Sequence, residues 1–307
     1  MIAHENLERL LARVRGVRPR LVAEKQGTVP VAEPSASPGE VPDPATLALA
    51  GRNLREAGLE IVDAHAHLGP YRNFYIPDSG ADGLVRVMDR CGVAITCLSS
   101  HVAIGSDWIL GNRLTAEAAA AYPDRLIGQA VASPHEPTLI RDELSRCFDE
   151  LGMRAIKLHP DLHQYPITGD GYLPAWEFAA ERGCLVLSHT FHGSRYCDPS
   201  VFGALAERYP HVPILLVHSG AQTTAFPGAI AVARAHENIY LDLSGSFITG
   251  PWIARMVREA GAKRVIFSSD IPFIDLRYSL GRVLFAPLTP QEKMLILGGN
   301  IRRLLRL

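Results

Sequence analysis

From Leu59 onward the chain alternates strand-like apolar runs with longer stretches of helical period. The apolar runs fall at 59–65, 93–99, 126–132, 154–159, 184–189, 213–218, 238–243 and 264–269. Between them, apolar residues recurring every three or four positions predict helices over 81–91, 112–121, 136–151, 173–182, 200–208, 224–236, 251–260 and 275–285, with a last one over about 291–306. Eight strand–helix units in about 250 residues predict an α/β fold of the (β/α)8 TIM-barrel kind. A doubly wound open sheet is the competing architecture. It is disfavoured because no G-x-G-x-x-G follows the first strand and no Gly-rich loop could cradle a phosphate.

The first 58 residues read differently. Leu7, Leu10, Leu11 and Val14 predict a short amphipathic helix over 4–16. Residues 26–46 hold Pro30, Pro34, Pro38, Pro42 and Pro44 among small residues, the composition of a linker or extended arm. A second helix is expected from about 45 to 57, ending near Gly58. The expected organisation is thus an N-terminal helical and Pro-rich extension, 1–58, followed by a barrel, 59–307.

Composition narrows the function. The formal net charge is -1 over 307 residues, and no basic patch interleaves with aromatics, so neither nucleic acid nor an acidic membrane is an expected partner. Five cysteines, none in a C-x-x-C pair, argue against a disulfide framework or a zinc ribbon and for a reducing cytoplasm. No apolar run reaches transmembrane length. Glu5, Glu8, Arg9 and Arg13 interrupt any leader-like core at the N-terminus. The expectation is a cytoplasmic protein with a small-molecule partner; a homodimer is compatible with the sequence.

The chemistry-bearing residues gather where the strands end, and in a barrel that is where active sites lie. The first run reads Ile61-Val62-Asp63-Ala64-His65-Ala66-His67. On a strand, Asp63, His65 and His67 share one face, and two imidazoles two residues apart can grip one metal ion. The fourth run ends Lys157-Leu158-His159, the fifth Ser188-His189, the sixth Val217-His218-Ser219-Gly220 and the eighth Ser269-Asp270-Ile271-Pro272. A single histidine at a strand end is more often structural than a ligand. Several around one mouth, with an aspartate on the eighth strand, fit a divalent-metal centre. Such a metal can activate water against a carbonyl, with a carboxylate taking the proton.

Taken in order, these residues resemble the amidohydrolase superfamily. More narrowly, they resemble its branch of metal-dependent TIM-barrel hydrolases that also contains amino-carboxymuconate-semialdehyde and resorcylate-type decarboxylases. The phrases that carry the resemblance include Ile61–His67, Tyr122–Gly128, Lys157–Pro160, Val217–Gly220, Ser269–Pro272 and Asn300–Leu304. The resemblance implies that His65, His67, His189 and Asp270 bind the metal, that His218 meets the substrate or the attacking water, and that Asp270 moves the proton. The residues alone do not separate the roles of His189 and His218. Zinc is the metal first expected, with manganese or iron as alternatives. One ion is expected, or two if Lys157 is carboxylated by carbon dioxide. Otherwise Lys157 holds an anionic substrate group or pairs with a barrel carboxylate such as Asp63. His159 stands with it as a second-metal or substrate candidate. His101, His192, Arg195 and Tyr196 are substrate-binding candidates on the loops, although a solvated Arg195 is equally consistent with the sequence. Trp108 and Phe273 either wall the pocket or pack. The function expected first is hydrolysis of an amide, lactone or ester. Non-oxidative decarboxylation on the same scaffold is the alternative, and a non-catalytic barrel the third reading.

Overall fold

The computed structural model describes residues 43–72 and 74–307. The helix expected over 4–16 and most of the proline-rich stretch lie outside these residues. Helix Pro44–Leu49 opens the described chain, capped by the Asp43 carboxylate, which accepts the Ala45 N–H at 3.3 Å. It is much shorter than the 45–57 expected. Gly51 turns the chain at φ 67°, and the Asn53 side chain accepts the N–H groups of Arg55 and Glu56 at 3.1 and 3.3 Å. A local turn thus takes the donors a helix would have used. Leu54 is then buried in the main core, and Lys293 meets Asp43 at 2.9 Å.

Eight strands follow: β1 Ile61–Leu68, β2 Val93–Ser100, β3 Leu126–Val131, β4 Ala155–Leu158, β5 Leu185–His189, β6 Ile214–Val217, β7 Ile239–Asp242 and β8 Val265–Ile266. They lie in sequence order, and every neighbouring pair is parallel. Helices pack outside each crossover, so the expected TIM barrel is the fold. Side chains alternate as a barrel requires. Val62, Ala64, Ala155, Leu185, Leu187, Leu215, Val217 and Ile266 form one buried cluster with Cys97. Ile156, Leu158, Val186 and Ile214 belong to the larger core under the helices.

The seam between β8 and β1 shapes the site. Regular β8 pairing covers two residues rather than the expected 264–269. Beyond it, the Phe267 N–H turns to Ile296 O at 3.0 Å, while Phe267 O accepts from Ala64 N–H at 3.1 Å. Two further backbone bonds close the seam, Asp270 N–H to His65 O at 2.9 Å and His67 N–H to Ile271 O at 2.7 Å. The buried Asp63 carboxylate adds to it, accepting from Ser269 N–H at 2.9 Å, from the Ser269 hydroxyl and from His65 N–H at 3.2 Å. Asp63 therefore serves the seam and forms no ion pair with Lys157. Against β2, β1 takes three steps, Asp63 to Ala66, where β2 takes two, Thr96 to Leu98. This bulge lies beside the two histidines.

Candidate metal centre

His65 and His67 from β1 meet Asp270 from the loop after β8. Their Nε2 atoms are 3.1 Å apart, and Asp270 Oδ1 lies 3.9 Å from His65 Nε2 and 3.6 Å from His67 Nε2. Donor atoms of all three fall within 4.8 Å of one another. Asp270 is held by its own backbone, at φ 64° with its N–H on His65 O. A non-glycine residue in that left-handed region needs such a tie.

The tautomers follow from the partners. His67 Nδ1 faces the Ser99 carbonyl at 3.2 Å, and a carbonyl only accepts, so Nδ1 carries the proton and Nε2 is bare. Burial pushes both His65 and His67 well below the ordinary imidazole range, with Lys157 adding to the effect on His65 and His101 to that on His67. Both are neutral at pH 7. Burial also raises the Asp270 carboxyl. Two neutral imidazoles and a carboxylate gathered in one buried spot are the donor set of a divalent transition metal. A cation there would relieve the contact between the two ring nitrogens.

Three of the four ligands that the resemblance implied are thus brought together. His189 stands apart from this group. Its Nε2 lies 3.4 Å from Asp161 Oδ2, and its ring stacks on His159 at 4.1 Å. His218 reaches the rim of the cluster, its ring 5.4 Å from His65 and 5.0 Å from His189. Lys157 is fully buried and faces inward, with Nζ 2.9 Å from His65 Nε2. Burial lowers its pKa, against the opposing pull of Asp270 and Asp242. His159 Nδ1 accepts the Leu162 N–H at 3.3 Å, capping helix Pro160–His163.

His163, at the end of that helix, gives a pH prediction away from the metal donors. It is buried with Nδ1 2.6 Å from the Tyr172 hydroxyl, and burial, with His135 nearby, lowers its pKa to about 4. The unfolded chain takes up this proton near the usual 6.5, so between pH 6.5 and 4 unfolding binds more protons. The stability this side chain supports is complete above 6.5 and is lost as pH falls toward 4, by up to about 3 kcal/mol. Denaturant unfolding of wild type and His163→Gln across this range should show the wild type losing more; parallel curves would refute the assignment.

The cavity at the mouth has a volume of about 610 Å³. His189, His218 and Asp270 line it, with Phe74, Phe191, Phe247 and Phe273 as aromatic walls and Gln222 among the polar residues. Of the four substrate-binding candidates from the sequence, none is on this wall. His101 stacks on His67 at 4.7 Å and gives Nδ1 to Gly69 O at 2.7 Å. His192 lies 3.5 Å from Asp198 and is half exposed, and Arg195 is spent on the neighbouring Tyr196 hydroxyl and ring. Phe273 does wall the cavity. Trp108 packs, its indole N–H on Glu136 at 2.7 Å. The other three phenylalanines, Asp161 and the β7 pair Asp242–Ser244 were not foreseen. Only Asp242 had a signal, as an acid ending an apolar run.

A family model described as amidohydrolase matches residues 62–307. The chain belongs to this amidohydrolase family. Among its curated relatives is a gamma-resorcylate decarboxylase of Polaromonas sp. strain JS666, 23% identical over 296 residues, covering 74% of this chain and 87% of that protein. The fold of this amidohydrolase matches a 2,6-dihydroxybenzoate decarboxylase solved with 2,6-dihydroxybenzoate, at TM-score 0.67 and 19% identity, over 81% of this chain and 99% of that one. It also matches a dihydroxybenzoic acid decarboxylase of Polaromonas sp. JS666 solved with manganese and 2-nitroresorcinol, at TM-score 0.61 and 19% identity, over 81% and 97% of the two chains. These names correct the first functional expectation. The relatives remove a carboxyl group, so hydrolysis of an amide, lactone or ester is set aside. Zinc, the metal first expected, is not the ion named with these structures. Among the described residues of this amidohydrolase, no helix is long and apolar enough to cross a membrane.

Proposed function

We propose that the protein is a divalent-metal-dependent, non-oxidative decarboxylase of small hydroxylated aromatic acids, with manganese as its ion. The observation that carries this reading is that Asp270 belongs at once to the buried donor group with His65 and His67 and to the wall of a cavity lined by four phenylalanines. Aromatic walls suit a flat ring, and the donor group suits one cation. The curated relatives' names agree with the flat ring, and a similar structure was solved with manganese.

His65, His67 and Asp270 would hold the ion. When bound, the cation supplies charge that draws in the substrate's carboxylate and an adjacent phenolic oxygen. The bond from ring carbon to carboxyl carbon breaks, its electron pair stays on the ring, and the ring carbon takes a proton as carbon dioxide leaves. No oxidant is consumed. Asp270, ionised when it helps hold the ion, would take the proton given up by the substrate's phenol and return it to the ring carbon. His218, on the same wall and kept neutral by burial, can accept a hydrogen bond from a substrate hydroxyl. Phe74, Phe191, Phe247 and Phe273 offer faces and edges against which the substrate's ring can pack.

The test is to incubate the full chain, loaded with manganese, with 2,6-dihydroxybenzoate and a panel of larger hydroxybenzoates. Equal amounts of carbon dioxide and decarboxylated arene should appear, and metal-free protein should produce neither. Failure to turn over any member of the panel, with one ion bound per chain, would overturn the reading.

A further inference from the structure

Just past the end of β7, one hydroxyl touches both His65 of the donor group and His218 of the cavity wall. The Ser244 Oγ lies 3.3 Å from His65 Nδ1 and 2.8 Å from His218 Nδ1, and it is in short contact with Asp242 Oδ1. Ser244 and Asp242 are both fully buried. The same Asp242 oxygen accepts the N–H groups of Ser244 at 2.7 Å and His218 at 3.0 Å.

A serine hydroxyl has one proton and two lone pairs. The carboxylate is the strongest acceptor around it, so the proton goes to Asp242. Placing the proton toward either histidine would leave hydroxyl and carboxylate lone pairs pressed together. Both Ser244 lone pairs then face ring nitrogens, and each of those nitrogens must carry hydrogen. His65 and His218 are thereby both protonated at Nδ1 and bare at Nε2. Asp242 Oδ2, buried without a hydrogen-bond partner and 3.9 Å from His65 Nδ1, adds negative charge that favours the same tautomer. Asp242 also steadies the backbone of the His218 turn. His218 and Ser219 sit at φ 65° and 48°, and the Ser219 hydroxyl donates to Asp242 O at 2.8 Å.

We propose that Ser244, backed by Asp242, is a positioning residue shared by the two histidines: one hydroxyl fixes the tautomer of metal-holding His65 and of substrate-facing His218 together. Metal affinity and substrate orientation then depend on a side chain that touches neither. The inference rests on the ligand and substrate roles given to His65 and His218 above. Its central claim, the paired tautomer, does not depend on a bound ion.

The test uses the full chain as wild type, Ser244→Ala and Ser244→Thr. Ring nitrogen shifts of histidine-labelled, metal-free protein are assigned through His65→Ala and His218→Ala, and manganese binding is followed by calorimetry. In wild type and Ser244→Thr both rings should show a protonated Nδ1. In Ser244→Ala they should shift toward mixed tautomers, and manganese affinity should fall about 10- to 100-fold. The Thr variant separates this from loss of fold, because it keeps the hydroxyl in a fuller side chain. Unchanged ring shifts in Ser244→Ala overturn the proposal. Rings that shift in Ser244→Ala, together with a wild type that binds no manganese, support the positioning role while refuting the metal-dependent function.

Discussion

Asp270→Asn should fold normally and lose about 10³-fold of decarboxylase turnover. The substitution changes one oxygen to an amide nitrogen at the point where two functions meet. A carboxylate Oδ1 at 3.6 Å from His67 Nε2 and 3.9 Å from His65 Nε2 supplies the only anionic donor of the group. An amide carries no charge to offset the cation, so manganese should bind more weakly. An amide also carries no ionisable proton, and a positioned proton donor contributes roughly 10²–10⁴-fold on its own. The fold should survive because Asp270 is held through its main chain, N–H to His65 O at 2.9 Å. The melting temperature of the metal-free variant should match or exceed that of the wild type, since burial already disfavours the ionised carboxylate. His67→Ala is the companion variant. It should lose metal outright, as a ligand whose ring is oriented by Ser99 O is replaced by a methyl group. Turnover and elemental analysis of the two proteins check both expectations. Wild-type turnover by Asp270→Asn would remove the acid from the mechanism.

The barrel is legible in the sequence because parallel strands are buried on both faces and read as unbroken apolar runs. Ala155-Ile156-Lys157-Leu158 shows what such a reading can and cannot do. Its alternation places Ile156 and Leu158 outward and Lys157 inward, as the structure has them. It says nothing of Lys157's partner, and the Asp63 considered from the sequence is bound to Ser269 instead. The short β8 was not legible either, because the seam depends on side-chain and backbone bonds across more than 200 residues. The donors His65, His67 and Asp270 stood out as polar groups ending apolar runs. The cavity wall did not. Phe74, Phe191 and Phe247 lie on loops, where conformation, not periodicity, decides which way a ring faces. For the same reason Arg195 stood as a substrate-binding candidate, yet it folds back on its neighbour Tyr196. The reaction was the hardest to read. A barrel offers the same donors to hydrolysis and to decarboxylation, and the difference lies in what the loops admit.

Lys157→Met should raise the stability of the metal-free protein by about 1–3 kcal/mol while leaving one manganese site intact. Lys157 is among the largest fully buried side chains. Its hydrogen-bond partner is His65 Nε2 at 2.9 Å, the nitrogen assigned to the metal, and no carboxylate lies within ion-pair distance among the described residues. A charged ammonium in that position is desolvated without a counter-ion, and burial accordingly lowers its pKa. Methionine fills nearly the same volume with no charge to bury, so the site gains what the lysine cost. Removing the amine also frees His65 Nε2, and manganese affinity should hold or rise. Activity should fall at least tenfold if the amine meets the substrate's carboxylate. A bridging, carboxylated lysine predicts the reverse pattern: two ions per wild-type chain, and loss of one or both in Lys157→Met. Elemental analysis and thermal unfolding of the two proteins, each with and without manganese, separate these outcomes. A wild type holding one ion and a variant that melts higher establish Lys157 as a destabilising buried group, and a tenfold loss of turnover in that variant assigns it to the substrate, whereas a second ion lost with the lysine would transfer it to the metal centre.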